Sequence, residues 1–220
     1  MNQLWFGDNL TILREEVASE SVDLIYLDPP FNSNANYNLL FRTPSDEAAS
    51  AQVEAFRDTW TWGNEAQWAI DEIMMNGGSV ATIVHALHSA LGESDMMAYL
   101  VMMAQRLSEL RRVLRSTGSL YLHCDPTASH YLKIIMDSVF GPTRFLSEVL
   151  WKRTSAHSSA RRYGPIHDVI LFYGKSPDFK WNHQYQPYDQ EYLDRFFDQT
   201  DDQGRKWKRS DLTGAGTRNG

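Results

Sequence analysis

The chain has 220 residues, 42% of them hydrophobic and 22% charged, with a formal net charge of −7. That is enough apolar material for one moderately large domain, or most of one. The acidic balance excludes a protein that holds nucleic acid by bulk positive charge, so any such binding falls to local basic surface. The apolar stretches are too short and too interrupted by Gln, Arg and Ser to span a bilayer. Met1-Asn2-Gln3-Leu4 shows no basic region followed by an apolar run, so neither a membrane partner nor a secretion signal is expected. The single cysteine, Cys124, cannot close an internal disulfide, which fits a cytoplasmic location.

In chain order, Leu4-Trp5-Phe6 reads as a short strand ending in a Gly7-Asp8 turn, and Leu10 to Val17 as a helix capped by Asp8 or Asn9. Val22 to Leu27 is rich in apolar and β-branched residues and reads as a buried strand. Pro29 and Pro30 end it, since neither has an N–H for a sheet ladder. Asp28 is thereby left at the carboxyl end of the strand, the edge at which open α/β sheets bind ligands. A carboxylate in that place suits methylation of an exocyclic amine on a base. The amine lone pair is delocalised into the ring, and acceptors that grip its N–H groups draw density back to nitrogen. Asp28 would take one N–H and a proline carbonyl, that of Pro29, the other. Phe31 offers a flat face for a base lifted from the duplex.

Asn32 to Asn38 is a polar, turn-favouring stretch and a candidate mobile loop. Residues 44–95 read as an insertion packed on the core, with a turn at Pro44-Ser45-Asp46, an aromatic cluster of Phe56, Trp60 and Trp62, and a helix break at Gly77-Gly78. Met96 to Leu114 has helical apolar spacing with Arg111, Arg112 and Arg115 near its carboxyl end. Gly118 ends that pattern, and Ser119 to Cys124 reads as a buried strand. Ala128 to Phe140 is a helix stopped by Gly141-Pro142. Glu148 to Trp151 and Val169 to Tyr173 are two further strands, separated by a loop carrying Lys152, Arg153, Arg161 and Arg162 with no acid among them. Arg205-Lys206-Trp207-Lys208-Arg209 is a second basic cluster. The alternation of strands and long helices implies an α/β sheet, parallel in part, with the last two strands as a hairpin.

His123-Cys124-Asp125 is not a metal set on this reading, because strand alternation turns Cys124 away from its neighbours. Cys124 is expected to be a small buried residue, while Tyr121, His123 and Asp125 approach the same sheet edge as Asp28. His85 and His88 are too few for a metal site. Trp181, Tyr185 and Tyr188 suit either packing or base stacking.

Asp28-Pro29-Pro30-Phe31, Gly118-Ser119-Leu120-Tyr121-Leu122-His123-Cys124-Asp125, Glu148-Val149-Leu150-Trp151 and His167-Asp168-Val169-Ile170-Leu171-Phe172-Tyr173 together resemble the permuted β-type bacterial DNA amino-methyltransferases. The resemblance implies a Rossmann-like methyltransferase sheet, mostly parallel with an antiparallel hairpin, and methyl transfer from S-adenosylmethionine to adenine N6 in double-stranded DNA. Aspartate at the head of the tetrapeptide points to adenine, since cytosine-N4 members usually carry serine there. Asp28, Pro29, Pro30 and Phe31 become the catalytic motif. Gly7, Asp8 and Asn9, with Asp28, become the cofactor contacts, Asp8 accepting from the adenosine amino group. Lys152, Arg153, Arg161 and Arg162 become the DNA contacts; no metal is expected, and a homodimer is compatible.

Residues 1–43 and 96–180 would form the core, and 181–220 the start of a DNA-contacting or target-recognition segment. The family's glycine-rich cofactor turn follows an apolar strand. Gly214 to Gly220 has the composition, yet follows the polar run Lys206 to Asp211, so it reads as a DNA-touching segment or a flexible end. The chain is therefore expected to hold an incomplete sheet and to be weak or inactive alone. Cytosine-N4 methylation, and a non-catalytic DNA-binding fragment, are the alternatives.

Overall fold

Asp8 opens the first helix by accepting the Leu10 N–H at 3.1 Å, which settles the cap between Asp8 and Asn9. The computed structural model describes residues 2–29, 35–39, 53–58, 60–153, 161, 166–185 and 187–209, with 35–39 and 53–58 described as backbone. The helix, α1 (Asn9–Glu15), buries no residue fully; Leu13 packs against the core, and guanidinium groups add to its hold. Arg112 donates to the Leu13 carbonyl at 2.5 Å and to Ser19 Oγ at 2.8 Å, and Arg14 pairs with Glu72. Leu4, Trp5 and Phe6 form no strand and are exposed, because no neighbour among the described residues takes up their backbone groups.

β1 (Val22–Leu27) has the expected bounds but lies at an edge of its sheet. It is not buried: Leu24 is 58% and Tyr26 54% exposed, while Ile25 and Leu27 pack on the core. β2 (Ala35–Leu39) and β3 (Val53–Asp58) form a separate antiparallel pair. Residues 35–38 are thus strand and not loop; the period-two alternation of Ala35, Tyr37 and Leu39 with two asparagines outweighs the turn preference of Asn. α2 (Asn64–Asn76) ends at Gly77, whose φ of +67° suits glycine, and α3 (Gly78–Leu91) follows at once.

α4 (Asp95–Val113) is capped by Ser94, whose hydroxyl accepts the Met97 N–H at 3.2 Å. It passes directly into β4 (Leu114–Cys124), so Gly118 does not end a helix. A Cβ there would lie 2.8 Å from Leu114 Cγ and Cδ1 and 3.0 Å from the Arg115 carbonyl oxygen, and it is this close approach that glycine permits. Arg115, expected in the last helical turn, reaches both oxygens of Asp23 at 2.9 Å. α5 (Ser129–Phe140) stops at Gly141, and β5 (Phe145–Lys152) and β6 (His167–Gly174) form the expected hairpin.

The main sheet runs β1-β4-β6-β5. β1 and β4 are parallel, while β6 is antiparallel to both β4 and β5, giving a mixed α/β sheet. One face, with Ile25, Leu27, Leu120, Leu122, Cys124, Val169, Leu171 and Tyr173, joins a single core with Leu100, Met103 and Leu107 of α4 and Leu132 and Ile135 of α5. Each such buried side chain contributes about 1.5–3 kcal/mol. Ile70 and Ile73 of α2 and Val84 of α3 belong to the same core. The opposite face carries an aromatic row: Tyr26 stacks toward Tyr121 at 6.5 Å and Tyr121 on Phe172 at 4.3 Å.

The chain divides into two units, Met1–Lys180 and Trp181–Gly220. The second contains α6 (Gln190–Phe196) and a short hairpin of β7 (Gln199–Thr200) and β8 (Lys206–Trp207). Tyr192 packs its ring against Tyr188 and Phe196. Asp201 closes the hairpin turn by accepting the N–H groups of Gln203 and Arg205 and the Arg205 Nε–H at 3.0, 2.8 and 2.7 Å. These donors, the Arg205 backbone first, hold the Asp201 carboxyl below the usual carboxylate range.

Candidate functional site

β1 and β4 run parallel, so their carboxyl ends reach the same edge of the sheet, and the two residues that matter most leave from there. Asp28 follows β1 directly and its side chain is 59% exposed, while Pro29 beside it is buried. Pro30 and Phe31 lie outside the described residues. On the adjacent strand His123, one residue before the end of β4, brings Nδ1 to 3.5 Å from Asp28 Oδ1 and to 3.3 Å from the Tyr26 hydroxyl. Burial first, then the charges of Asp28 and Asp168, push the Tyr26 phenol up, so it remains a hydroxyl donor at neutral pH.

The other nitrogen of His123, Nε2, lies 3.1 Å from Asp168 Oδ2 on β6. Asp168 is only 4% exposed, and its second oxygen accepts from Arg153 Nη1 at 3.0 Å. Sequence reasoning places His123 near this edge but misses Asp168, which stands 45 residues further along and pairs across the sheet. Alternation along β4 does turn Cys124 to the opposite, buried face. Burial pushes its thiol up to about 12, which marks it as inert packing. Asp125 follows the end of β4 and accepts the Ala128 N–H at 3.0 Å, leading the chain into α5. Tyr121 sits in the aromatic row beneath. His88 stacks on Trp62 with ring centroids 5.0 Å apart. Among the described residues no group of three His, Cys, Asp or Glu side chains is placed to hold a metal ion.

Gly7, Asp8 and Asn9 stand together at the start of α1, and Gly7 adopts a φ of +136° that side chains rarely accept. Arg106 of α4 fixes this turn: Nη2 donates to Asp8 Oδ1 at 2.6 Å and Nε to Asn9 Oδ1 at 2.7 Å. Nothing in the periodicity of α4 marks Arg106 for this task, since its partner lies 98 residues away in sequence. A cavity of about 310 Å³ opens beside Asp8, lined among others by Trp60, Trp68, Glu65, Glu72 and Arg106. The residues fit the adenosyl end of S-adenosylmethionine: a half-exposed carboxylate to accept from an amino group, and indole surface for a flat ring. Asp28 is not part of that lining.

Of the basic loop, Lys152 and Arg161 are exposed, Arg153 gives part of its guanidinium to Asp168, and Arg162 lies outside the described residues. The glycine-rich run 214–220 also lies outside them. No described helix is long and apolar enough to cross a membrane.

Among curated proteins, the chain is 26% identical over 212 residues to the Type III restriction-modification enzyme StyLTI Mod subunit of Salmonella typhimurium, covering 94% of this chain and 29% of that protein. It is 25% identical over 218 residues to the Type II methyltransferase M.EcaI of Enterobacter cloacae, covering 99% of this chain and 38% of the relative. The chain thus spans roughly a third of the length of these relatives. Among solved structures, PvuII DNA methyltransferase (cytosine-N4-specific) aligns with a TM-score of 0.42 at 12% identity, covering 86% of this chain and 60% of that one. The family described as DNA methylase, N6_N4_Mtase, matches residues 22–216, and the chain belongs to that family.

Proposed function

We propose that the intact protein transfers a methyl group from S-adenosylmethionine to the N6 amine of adenine in double-stranded DNA. The observation that carries this reading is an exposed carboxylate, Asp28, at the carboxyl end of β1 with a buried proline next to it. When bound, S-adenosylmethionine supplies a methyl group on a sulfonium that is already activated to leave, so the chain's own task is positioning. Asp28 accepts one N–H of the target amine and the Pro29 carbonyl the other, which draws electron density to nitrogen and aims its lone pair. Phe31, the last residue of the tetrapeptide Asp28-Pro29-Pro30-Phe31, is assigned the stacking face for the flipped base. Asp8, with Gly7 and Asn9, accepts the amino group of the adenosyl moiety, held in place by Arg106.

With a net charge of −7, DNA affinity rests on local cations, and Lys152, Arg153, Arg161 and Arg162 are the run assigned to it. Residues 181–220 then begin a segment directed at DNA, with Trp207 among four basic residues. One relative is named as the Mod subunit of a Type III restriction-modification enzyme, and we assign this protein the modification half of such a system. Asp28→Ala in the intact protein tests the reading. Methyl transfer should fall at least 100-fold, the scale for losing an aimed acceptor, while DNA affinity stays within about twofold. Retained transfer in that variant would remove Asp28 from the mechanism.

A further inference from the structure

Transfer of a methyl group to a neutral amine leaves one proton to be disposed of, and the groups behind Asp28 form a path for it. Asp28 Oδ1, His123 Nδ1, His123 Nε2, Asp168 Oδ2, Asp168 Oδ1 and Arg153 Nη1 follow one another at 3.5, 3.1 and 3.0 Å across the contacts between residues. Asp168 is the fixed point. A carboxylate this deeply buried needs both oxygens satisfied, and Arg153 and His123 satisfy one each. Because a carboxylate only accepts, the proton between Asp168 and His123 belongs to Nε2. The bond at one ring nitrogen assigns the state of the other, so Nδ1 carries a lone pair toward Tyr26 and Asp28. The Tyr26 hydroxyl, a donor, suits that lone pair at 3.3 Å. A second carboxylate at 3.5 Å suits it only once a proton lies between them.

We propose that His123 is a positioning residue that acts through Asp28, receiving the proton released by methyl transfer, and that Asp168 and Arg153 hold its ring in the accepting tautomer. The inference rests on the amine-methylation reading above. The amine nitrogen forms its bond to the methyl carbon as the carbon–sulfur bond breaks, and that bonding pair goes to sulfur, giving a neutral thioether. The nitrogen, now positive, gives one N–H proton to Asp28. Asp28 passes it to His123 Nδ1, and the imidazolium, flanked by Asp28 and Asp168, later returns it to water. Arg153 thereby serves the site from behind, beside any contact it makes with a phosphate.

The test uses the intact protein with substrate DNA and S-adenosylmethionine under single-turnover conditions across pH. Among the described residues, the charged and titratable groups that face the ring are Tyr26 and Asp28 from β1 and its exit, Asp168 from β6 and Arg153 beyond β5. Wild-type transfer should slow on the acid side, because a relay whose accepting nitrogen is already filled has nowhere to put the released proton. His123→Gln can still donate to Asp168 but has no basic nitrogen. Its rate should fall about 10- to 100-fold, toward the lower range for loss of a proton acceptor, with the acid limb gone and the KM for DNA unchanged.

Long-range nitrogen–proton NMR of the His123 ring needs neither DNA nor cofactor and should report protonated Nε2 with bare Nδ1 at neutral pH. Asp168→Asn should mix the tautomers, because an amide offers a donor as well as an acceptor. A wild-type ring protonated at Nδ1 alone would overturn the inference, as would His123→Gln with the rate and pH profile of the wild type. If the wild type transfers no methyl group at all, the parent reading fails, and the tautomer result shows whether the clamp on His123 exists apart from it.

Discussion

Replacing Gly118 by alanine tests how the sheet that carries the site is built. The added Cβ would meet Leu114 Cγ and Cδ1 at 2.8 Å and the Arg115 carbonyl oxygen at 3.0 Å. Leu114 is fully buried and pairs with Val22 of β1, so it has no room to retreat, and the carbonyl is backbone. Overpacking of this kind costs about 1–3 kcal/mol. Alanine returns about 0.4–1 kcal/mol by restricting the unfolded chain. At the middle of these ranges the net expectation is a loss of about 1.3 kcal/mol, within bounds of about 0 to 2.6 kcal/mol. Gly63→Ala is the control, since nothing lies within 4 Å of a Cβ there. Urea unfolding of both variants, followed by circular dichroism, should give a lower midpoint for Gly118→Ala with an unchanged slope. Equal midpoints for the two variants would refute the close-approach account of Gly118 and return it to the role of an ordinary linker glycine.

Arg106→Ala should loosen the Gly7-Asp8-Asn9 turn, costing about 1–2 kcal/mol because the pair is half exposed, and should speed amide exchange in α1. Unchanged exchange there would show that the turn holds itself. Burial raises the Cys124 thiol from its ordinary 9.0 to about 12, so the protonated form is favoured in the folded chain and its contribution is full below pH 9. That contribution is lost as pH rises toward about 12. Alkylation at pH 9 should follow urea unfolding and not precede it, and rapid labelling of folded protein would contradict the burial. The Asp201 carboxyl is held low, so its support of the β7–β8 turn is present above its ordinary 3.8 and lost as pH falls through the lowered value. Carboxyl NMR should show that depression shrink in Arg205→Ala without vanishing, because the backbone donors remain.

The elements that depend on local chemistry are legible in the residues. Val22–Leu27, the Asp8 cap, the Gly77 and Gly141 stops and the β5–β6 hairpin follow from apolar runs, capping side chains and glycines. What a strand faces is not local. The run Val22 to Leu27 is apolar on both faces, yet helices cover only one, leaving Leu24 and Tyr26 exposed. Gly118 misleads for a related reason: a glycine after a helical pattern resembles a stop, and only the packed Leu114 side chain reveals a close approach inside a strand. Asp28 is identifiable because the prolines isolate it at the strand end. Its supporting groups are not, since Asp168, Arg153 and Arg106 act through contacts made across sheet and helix at long sequence separation.

The most direct test of the account is the identity of the modified base. DNA incubated with the intact protein and S-adenosylmethionine, digested to nucleosides and analysed by mass spectrometry, should contain N6-methyldeoxyadenosine, and DNA treated for the same time with Asp28→Ala should contain at least about 100-fold less. N4-methyldeoxycytidine in its place would move the target while keeping the amine chemistry. Methylation only at a ring carbon, or adenine methylation that persists without the Asp28 carboxylate, would contradict the central claim.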